Sequence, residues 1–408
     1  MTRRVSDLDR RRLLVGAAGL SLGGLAGCAG GGETALPTPL AKPVLSRARV
    51  APIRLAPVRA SPDRIFDVTV CLRPFRAEGP RLDVEEIGGA RIVHNYGHGG
   101  AGWSLSWGSS TIAVQRAMEQ SPVAVAVLGC GALGLTSAIL AQQAGAKVTI
   151  YARELLPDTR SARATGSWTP DSRIALADKA AQGFPAVWEE MARTSFRHYR
   201  RYLGLPGSPV EWTDRYLLSN GPDDPPAGAA PPGGLDFADY QGLIRDLSPP
   251  SEPIPAEATP FPVSSVRRFS SMQFNIADYG HQLMADFLTA GGQIERRAFQ
   301  SPSELAGLPE KVVINCPGYG ARALWRDESI VPVRGQIAWL IPQPEVDYGV
   351  ICHGVNVLAR RDGIVLQMLE GGDMRGYGDA NETTDPAEAR EAVDRVAPVF
   401  ANFREPAA

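Results

Sequence analysis

Three stretches of the 408-residue chain predict an α/β fold, a Rossmann-like dinucleotide-binding domain joined to a second domain with a mixed sheet. Val123 to Leu128 (VAVAVL) is a short uninterrupted apolar run, the pattern of a strand covered on both faces. It passes into Gly129-Cys130-Gly131-Ala132-Leu133-Gly134, then a small-residue helix to about Ala144 and a second strand at Lys147 to Tyr151. Lys311 to Asn315 (KVVIN) reads as another buried parallel strand. In the GxGxxG turn, Gly129 permits the tight bend and Gly131 lets a pyrophosphate approach the backbone. Gly134 lets helix and strand pack closely. The N–H groups of Ala132 and Leu133, at the helix start, face the phosphate charge.

Composition narrows the function classes. With 42 Lys+Arg against 44 Asp+Glu and a net charge of −2, a general nucleic-acid binder is disfavoured. Five cysteines are too few and too scattered for a disulfide framework or a zinc site.

From the N-terminus, Arg10, Arg11 and Arg12 precede an apolar small-residue stretch, Val15 to Gly27, which reads as a twin-arginine export signal over residues 1–27. Leu25-Ala26-Gly27-Cys28 resembles a bacterial lipobox, so the expectation is an exported, periplasmic or extracytoplasmic protein anchored to the membrane through acylated Cys28. Residues 28–62, rich in Pro and Ala, read as a tether. Arg64 to Leu72 alternates as a strand. A Gly-rich segment, Arg91 to Trp107, leads to a helix from about Ser110 to Glu119. Asp178 to Tyr202 reads as helix, and Gly221–Gly234 and Pro249–Pro262 as Pro-rich loops. Strands are expected at Ser264–Phe274, Gly335–Leu340 and Ile364–Leu369, and helices at Ile276–Ala290 and Asp385–Phe400.

Several motifs go further. Tyr151-Ala152-Arg153-Glu154 followed by Ala164-Thr165-Gly166-Ser167-Trp168-Thr169-Pro170 resembles the D-amino-acid oxidases, flavoproteins of the glycine-oxidase type. Val313 to Gly318 with Pro332-Val333-Arg334-Gly335-Gln336 is similar to the same family's second flavin-contacting stretch. His94-Asn95-Tyr96-Gly97-His98-Gly99-Gly100-Ala101-Gly102-Trp103 is similar to its long signature near the active site, and Leu72-Arg73-Pro74 to its arginine-proline element. The last two normally lie near the C-terminus, whereas here they precede GxGxxG, an order that implies circular permutation.

The resemblance implies bound FAD and oxidation of the C–N bond of a D-amino acid or glycine-like substrate to an imino acid, which hydrolyses to a 2-oxo acid. Molecular oxygen, or a quinone or other electron carrier, would reoxidise the flavin; a flavin-binding lipoprotein without turnover is the non-enzymatic alternative. Arg73 is expected to bind the substrate carboxylate, since a planar guanidinium matches a carboxylate with two parallel hydrogen bonds. The bland role for Arg73 is pairing with Asp83 or Glu85. The Gly100 carbonyl would accept from the substrate amine, and Tyr348 would stand over the substrate. His353 and Asn356 are polar candidates beside it, with Val357 or a near neighbour in a second tyrosine's place. The flavin contacts implied are Gly99, Gly100, Ala101, Gly102, Trp103, Ser104, Gly129, Gly131, Ala132, Leu133, Gly134, Arg153, Glu154, Gly166, Ser167, Trp168, Cys316 and Gly318. Arg153 and Glu154 follow Ala152, where an acidic residue would ordinarily hold the ribose. His94 and His98 lack an Asp, Glu or Cys to complete a ligand set nearby, so they read as structural and no metal is expected. The FAD-binding parts are expected at about 64–175 and 264–335, and the substrate-domain parts at about 176–263 and 336–384, closed by helix 385–400.

Overall fold

The structure, a computed structural model, describes residues 51–221 and 233–405. The segment expected to be an export signal, Cys28, the first part of the expected tether and the centre of the Gly221–Gly234 loop lie outside the described residues. In chain order the strands and helices are β1 (Ile65–Arg76), β2 (Val84–Ile87), β3 (Ala90–His94), α1 (Gly102–Met118), β4 (Ala124–Leu128), α2 (Ala132–Gln143), β5 (Lys147–Ala152), α3 (Phe184–Tyr199), β6 (Val210–Ser219), β7 (Glu252–Ile254), β8 (Ser265–Phe274), α4 (Ile276–Thr289), β9 (Gln293–Arg296), β10 (Val312–Asn315), α5 (Ala321–Leu324), β11 (Ile330–Leu340), β12 (Gly349–Cys352), β13 (Val355–Arg360), β14 (Gly363–Met368) and α6 (Pro386–Ala401).

These strands form two sheets. A six-stranded sheet runs β2-β3-β10-β4-β5-β9, parallel throughout except for β2. Its central strands are apolar and buried, as VAVAVL and KVVIN predict, with α1, α2 and α4 contributing to the core on one side. An eight-stranded mixed sheet runs β1-β11-β14-β13-β12-β6-β8-β7. One of its faces carries α6, whose N-cap Asp385 accepts hydrogen bonds from the Ala387 and Glu388 N–H groups ahead of a buried Val393/Val396/Phe400 stripe. Among the described residues no helix is long and apolar enough to cross a membrane.

The structure moves several expected boundaries. Both β1 and β8 belong to the eight-stranded sheet, although residues 64–175 and 264–335 read as FAD-binding parts; β1 pairs with β11 from Ile65↔Leu340 to Arg76↔Ile330. Helix α1 begins at Gly102 rather than Ser110. Its first turns are Gly, Trp and Ser, weak helix formers held by the burial of Trp103 and Trp107. Helix α3 starts at Phe184, where Pro185 sets the first turn, and not at Asp178. The Pro249–Pro262 segment includes the short edge strand β7. The end of the supposed tether is part of the folded body. Val58 is buried, the Arg59 N–H donates to Gln343 Oε1 at 2.7 Å, and Gln343 Nε2 returns a bond to the Pro57 carbonyl.

Candidate active site

The strand ends of the six-stranded sheet and the exposed face of the other meet at a cleft of ≈ 1350 Å³. At one end is the β4–α2 turn. Gly129 has φ +98°, and a Cβ there would stand 2.4 Å from the Cys316 carbonyl oxygen, so β10's end fixes it as glycine. A Cβ on Gly131 would meet Ser161 Oγ at 2.7 Å, and one on Gly134 would meet the Gly129 oxygen at 2.0 Å. Gly129, Gly131, Ala132 and Leu133 line the cleft, whereas Gly134 supports the turn from behind. The Ala132 N–H donates to Ser161 Oγ at 3.1 Å, and α2 has no side-chain cap. Ser161 thus occupies the Ala132 N–H expected to face a phosphate, and the Leu133 N–H is the first-turn donor left toward the cleft as an anion site.

Beyond β5, Arg153 and Glu154 form an ion pair at 2.8 Å on the cleft wall. The Gly166–Trp168 segment is pinned to β8: the Phe274 N–H donates to the Gly166 carbonyl at 2.7 Å and the Trp168 N–H to the Met272 carbonyl at 3.1 Å. Ser104 Oγ accepts from the Thr169 N–H at 2.9 Å, tying that segment to α1. Cys316 and Gly318 also line the cleft, and burial pushes the Cys316 thiol up to about 12.

The Gly99–Gly102 segment works differently from expectation. The N–H groups of Gly99, Gly100 and Ala101 are taken by the carbonyls of Pro74, Ser172 and His98, at 2.9 Å each. Ala101 points into the core and does not line the cleft. The free donors belong to Gly102, Trp103 and Ser104, the uncapped first turn of α1. Gly99 and Gly100 are glycines because the Ser172–Arg173 loop presses on them: a Cβ on Gly99 would lie 1.9 Å from the Arg173 oxygen. The Gly100 carbonyl accepts no hydrogen bond from the described residues.

Arg73 projects from β1 into the cleft and lies flat over Gly335, where a Cβ would come within 2.3 Å of both terminal nitrogens. Nη1 donates to the Arg334 carbonyl at 3.3 Å. Burial lowers its pKa, opposed by Cys71 and Asp373, and among the described residues no carboxylate pairs with it. Asp83 and Glu85 are occupied elsewhere, by Arg81 and His94. Both histidines of the signature are hydrogen-bonded within the fold. His94 pairs with Glu85 and Asn315, and His98 Nε2 with Ser109 Oγ at 2.7 Å.

Tyr348 is a correction. It precedes β12 and turns to the α6 face, where its hydroxyl donates to the Ala56 carbonyl at 2.7 Å and its ring packs on Tyr216 and Phe261. The residues after Tyr348 form the β12–β13 hairpin, closed by His353 and Gly354 with φ +48° and +70°. Alternation then sends Val357 to the α6 face and Asn356 to the cleft, while His353 sits exposed in the turn. Beside Asn356 stands a residue that sequence reasoning missed: Arg215, from β6. Its Nη2 donates to Asn356 Oδ1 and its Nη1 to Ser167 Oγ at 3.4 Å. No clean alternation in Val210–Ser219 marks it, because adjacent Asp214 and Arg215 put charge on both faces.

The model of the FAD dependent oxidoreductase family matches residues 124–408. A D-amino-acid oxidase of Streptomyces coelicolor is 31% identical over 52% of this chain and 58% of its own length; one of Rubrobacter xylanophilus is 30% identical over 52% and 57%. The chain thus matches little more than half the length of either bacterial relative. A D-amino-acid oxidase of Dictyostelium discoideum is 25% identical over 68% of this chain and 73% of its own length. The residues present fit FAD. The glycine cradle and two uncapped helix starts suit a pyrophosphate and ring system. Among the described residues, buried His98 Nδ1, Thr159 Oγ1 and Arg160 Nε lack a protein partner, and all three residues line the cleft. With more than two thirds of its length matched by the family model, the chain belongs to the FAD dependent oxidoreductase family, with FAD as its cofactor.

Proposed function

We propose that the protein oxidises the C–N bond of an amino acid to an imino acid, a D-amino acid or glycine-like compound being the substrate. Overall, amino acid, oxygen and water give a 2-oxo acid, ammonia and hydrogen peroxide. Bound FAD supplies a two-electron acceptor for the α-hydrogen as hydride. The chain supplies position: Arg73 grips the carboxylate through two parallel hydrogen bonds, and the Gly100 carbonyl accepts from the amine, so the α-carbon is held between them. The observation that carries this reading is Arg73, laid over Gly335 with no carboxylate of its own, in the same cleft as the GxGxxG turn.

Arg10–Arg12 and the Leu25–Cys28 lipobox support export by the twin-arginine route and attachment through acylated Cys28. That location favours a quinone or carrier as an alternative electron acceptor. The motif order supports a circular permutation, since the family match begins at β4 while residues before it provide β1, β3, α1 and Arg73.

The purified protein should be yellow, and anaerobic addition of one member of a panel of D-amino acids, glycine and N-methyl amino acids should bleach its flavin absorption. A colourless preparation that takes up no FAD, or a flavin that no amino acid bleaches, would overturn the proposal. Reoxidation by air or only by a quinone separates the two acceptors.

A further inference from the structure

Two arginines are buried among the described residues, Arg215 and Arg360. Arg360 has an ordinary account: it is paired with Asp362 and bonded to the Ala164 carbonyl. Arg215 has no such account. It is 6% exposed, its hydrogen-bond partners are the neutral Asn356 and Ser167, and Nε is buried with no partner. Among the described residues no acidic group pairs with it, and burial lowers its pKa only to about 10, so it remains cationic at neutral pH. A buried cation is costly unless an anion compensates it.

The site around Arg215 is built to hold the guanidinium facing the cleft. On the neighbouring strand its partner in register is Gly349, where a Cβ would stand 3.2 Å from Nε. The Phe269 ring lies 5.5 Å away, a cation–π contact that supports the group without neutralising it. Alternation along β6 places Tyr216 and Leu218 in the α6-side core, so Arg215 faces the cleft that Arg73 enters from β1. Arg73 and Arg215 thus enter one cleft, and among the described residues neither has a carboxylate partner.

We infer that Arg215 is a specificity-determining residue that binds an anionic substrate side chain, so that the preferred substrate is a dicarboxylic amino acid, its α-carboxylate on Arg73 and its side-chain carboxylate on Arg215. This rests on the amino-acid oxidation proposed above. The Arg215 Nε–H, buried and without a partner among the described residues, is the donor that a carboxylate would satisfy together with a terminal N–H of the guanidinium.

The test reads ligand binding without turnover. Titrating the FAD-loaded protein with succinate and with butyrate, a neutral-ended chain of equal length, gives dissociation constants from the flavin difference spectrum. Succinate should bind roughly 10- to 100-fold tighter, the range for a hydrogen-bonded charged group. Arg215→Met should erase that preference, and Arg215→Lys should retain part of it. In turnover, aspartate or glutamate of one configuration should exceed its own amide in kcat/KM by a similar factor, a preference lost in Arg215→Met. Equal binding of succinate and butyrate by the unaltered protein overturns the inference whether or not the variants fold. So does a preference that persists in Arg215→Met, or one replaced by a changed flavin spectrum in ligand-free Arg215→Met, which would assign the cation to the cofactor. Failure of the underlying reading looks different: no amino acid bleaches the flavin, while the succinate preference can still be measured.

Discussion

Arg73 gains its orientation from its cross-strand neighbours. Pairing of Leu72 with Arg334 and of Cys71 with Gly335 puts a bare backbone under the guanidinium, and the Arg334 carbonyl takes one of its protons. The outward edge is left for a carboxylate. Two charge-assisted hydrogen bonds are worth about 3–6 kcal/mol together, so Arg73→Ala should lower kcat/KM by roughly 100- to 10,000-fold. Because Arg73 makes none of the bonds that shape the GxGxxG turn, the variant should still purify with a full complement of flavin. Stopped-flow bleaching at increasing substrate concentration checks both points. Unchanged kcat/KM would remove Arg73 from carboxylate binding, and loss of flavin would make it a structural residue.

The β4–α2 turn is a unit whose parts depend on one another. Gly129 donates its N–H to the Tyr151 carbonyl at 2.8 Å, the Cys316 N–H donates to the Leu128 carbonyl at 2.9 Å, and the Cys316 carbonyl occupies the space beside the Gly129 Cα. Gly129→Ala should therefore cost about 1–3 kcal/mol from its left-handed backbone alone, before the 2.4 Å contact is relieved. Relief moves the first turn of α2, so FAD should be lost on gel filtration and the denaturant midpoint should fall; a variant retaining flavin at normal stability would contradict the geometry. This unit was legible in the sequence because each glycine answers a local steric demand and the flanking strands are apolar on both faces. Elements fixed by distant packing were not. The first turns of α1 have no cap and few helix formers, and exist because Trp103 and Trp107 bury against α3 and α4, the latter donating Nε1–H to Tyr279 at 2.7 Å. Tyr348 was misplaced because the two-residue turn at His353–Gly354, not propensity, decides which side of the sheet each residue takes. Arg215 escaped because Val210–Ser219 carries charges on both faces, Asp214 outward and Arg215 toward the cleft, masking the alternation.

The motif order becomes intelligible when the two ends of the folded body are followed. The Ile53 N–H donates to the Ala258 carbonyl and the Arg404 N–H to the Pro260 carbonyl, each at 2.8 Å. Only Thr259 lies between those acceptors, which brings positions 53 and 404 within roughly 15 Å of each other. The break between α1 and β4 is equally short: Glu119 to Val123 joins them at the surface, and Val123 is 75% exposed. A chain reordered to run from Ser121 to Glu405, through a Gly/Ser linker of about eight residues, then from Ala51 to Gln120, should close both sheets as they stand. Reordering lengthens the α1–α2 connection and shortens those of β1 with β11 and β3 with β10. Because closure entropy grows only as the logarithm of loop length, the net change is about 1 kcal/mol. The reordered protein should thus bind FAD in equal stoichiometry and melt within several degrees of the natural order. If linkers of eight and sixteen residues both give insoluble, flavin-free protein, the present order is a requirement of folding rather than a rearrangement that the finished fold tolerates.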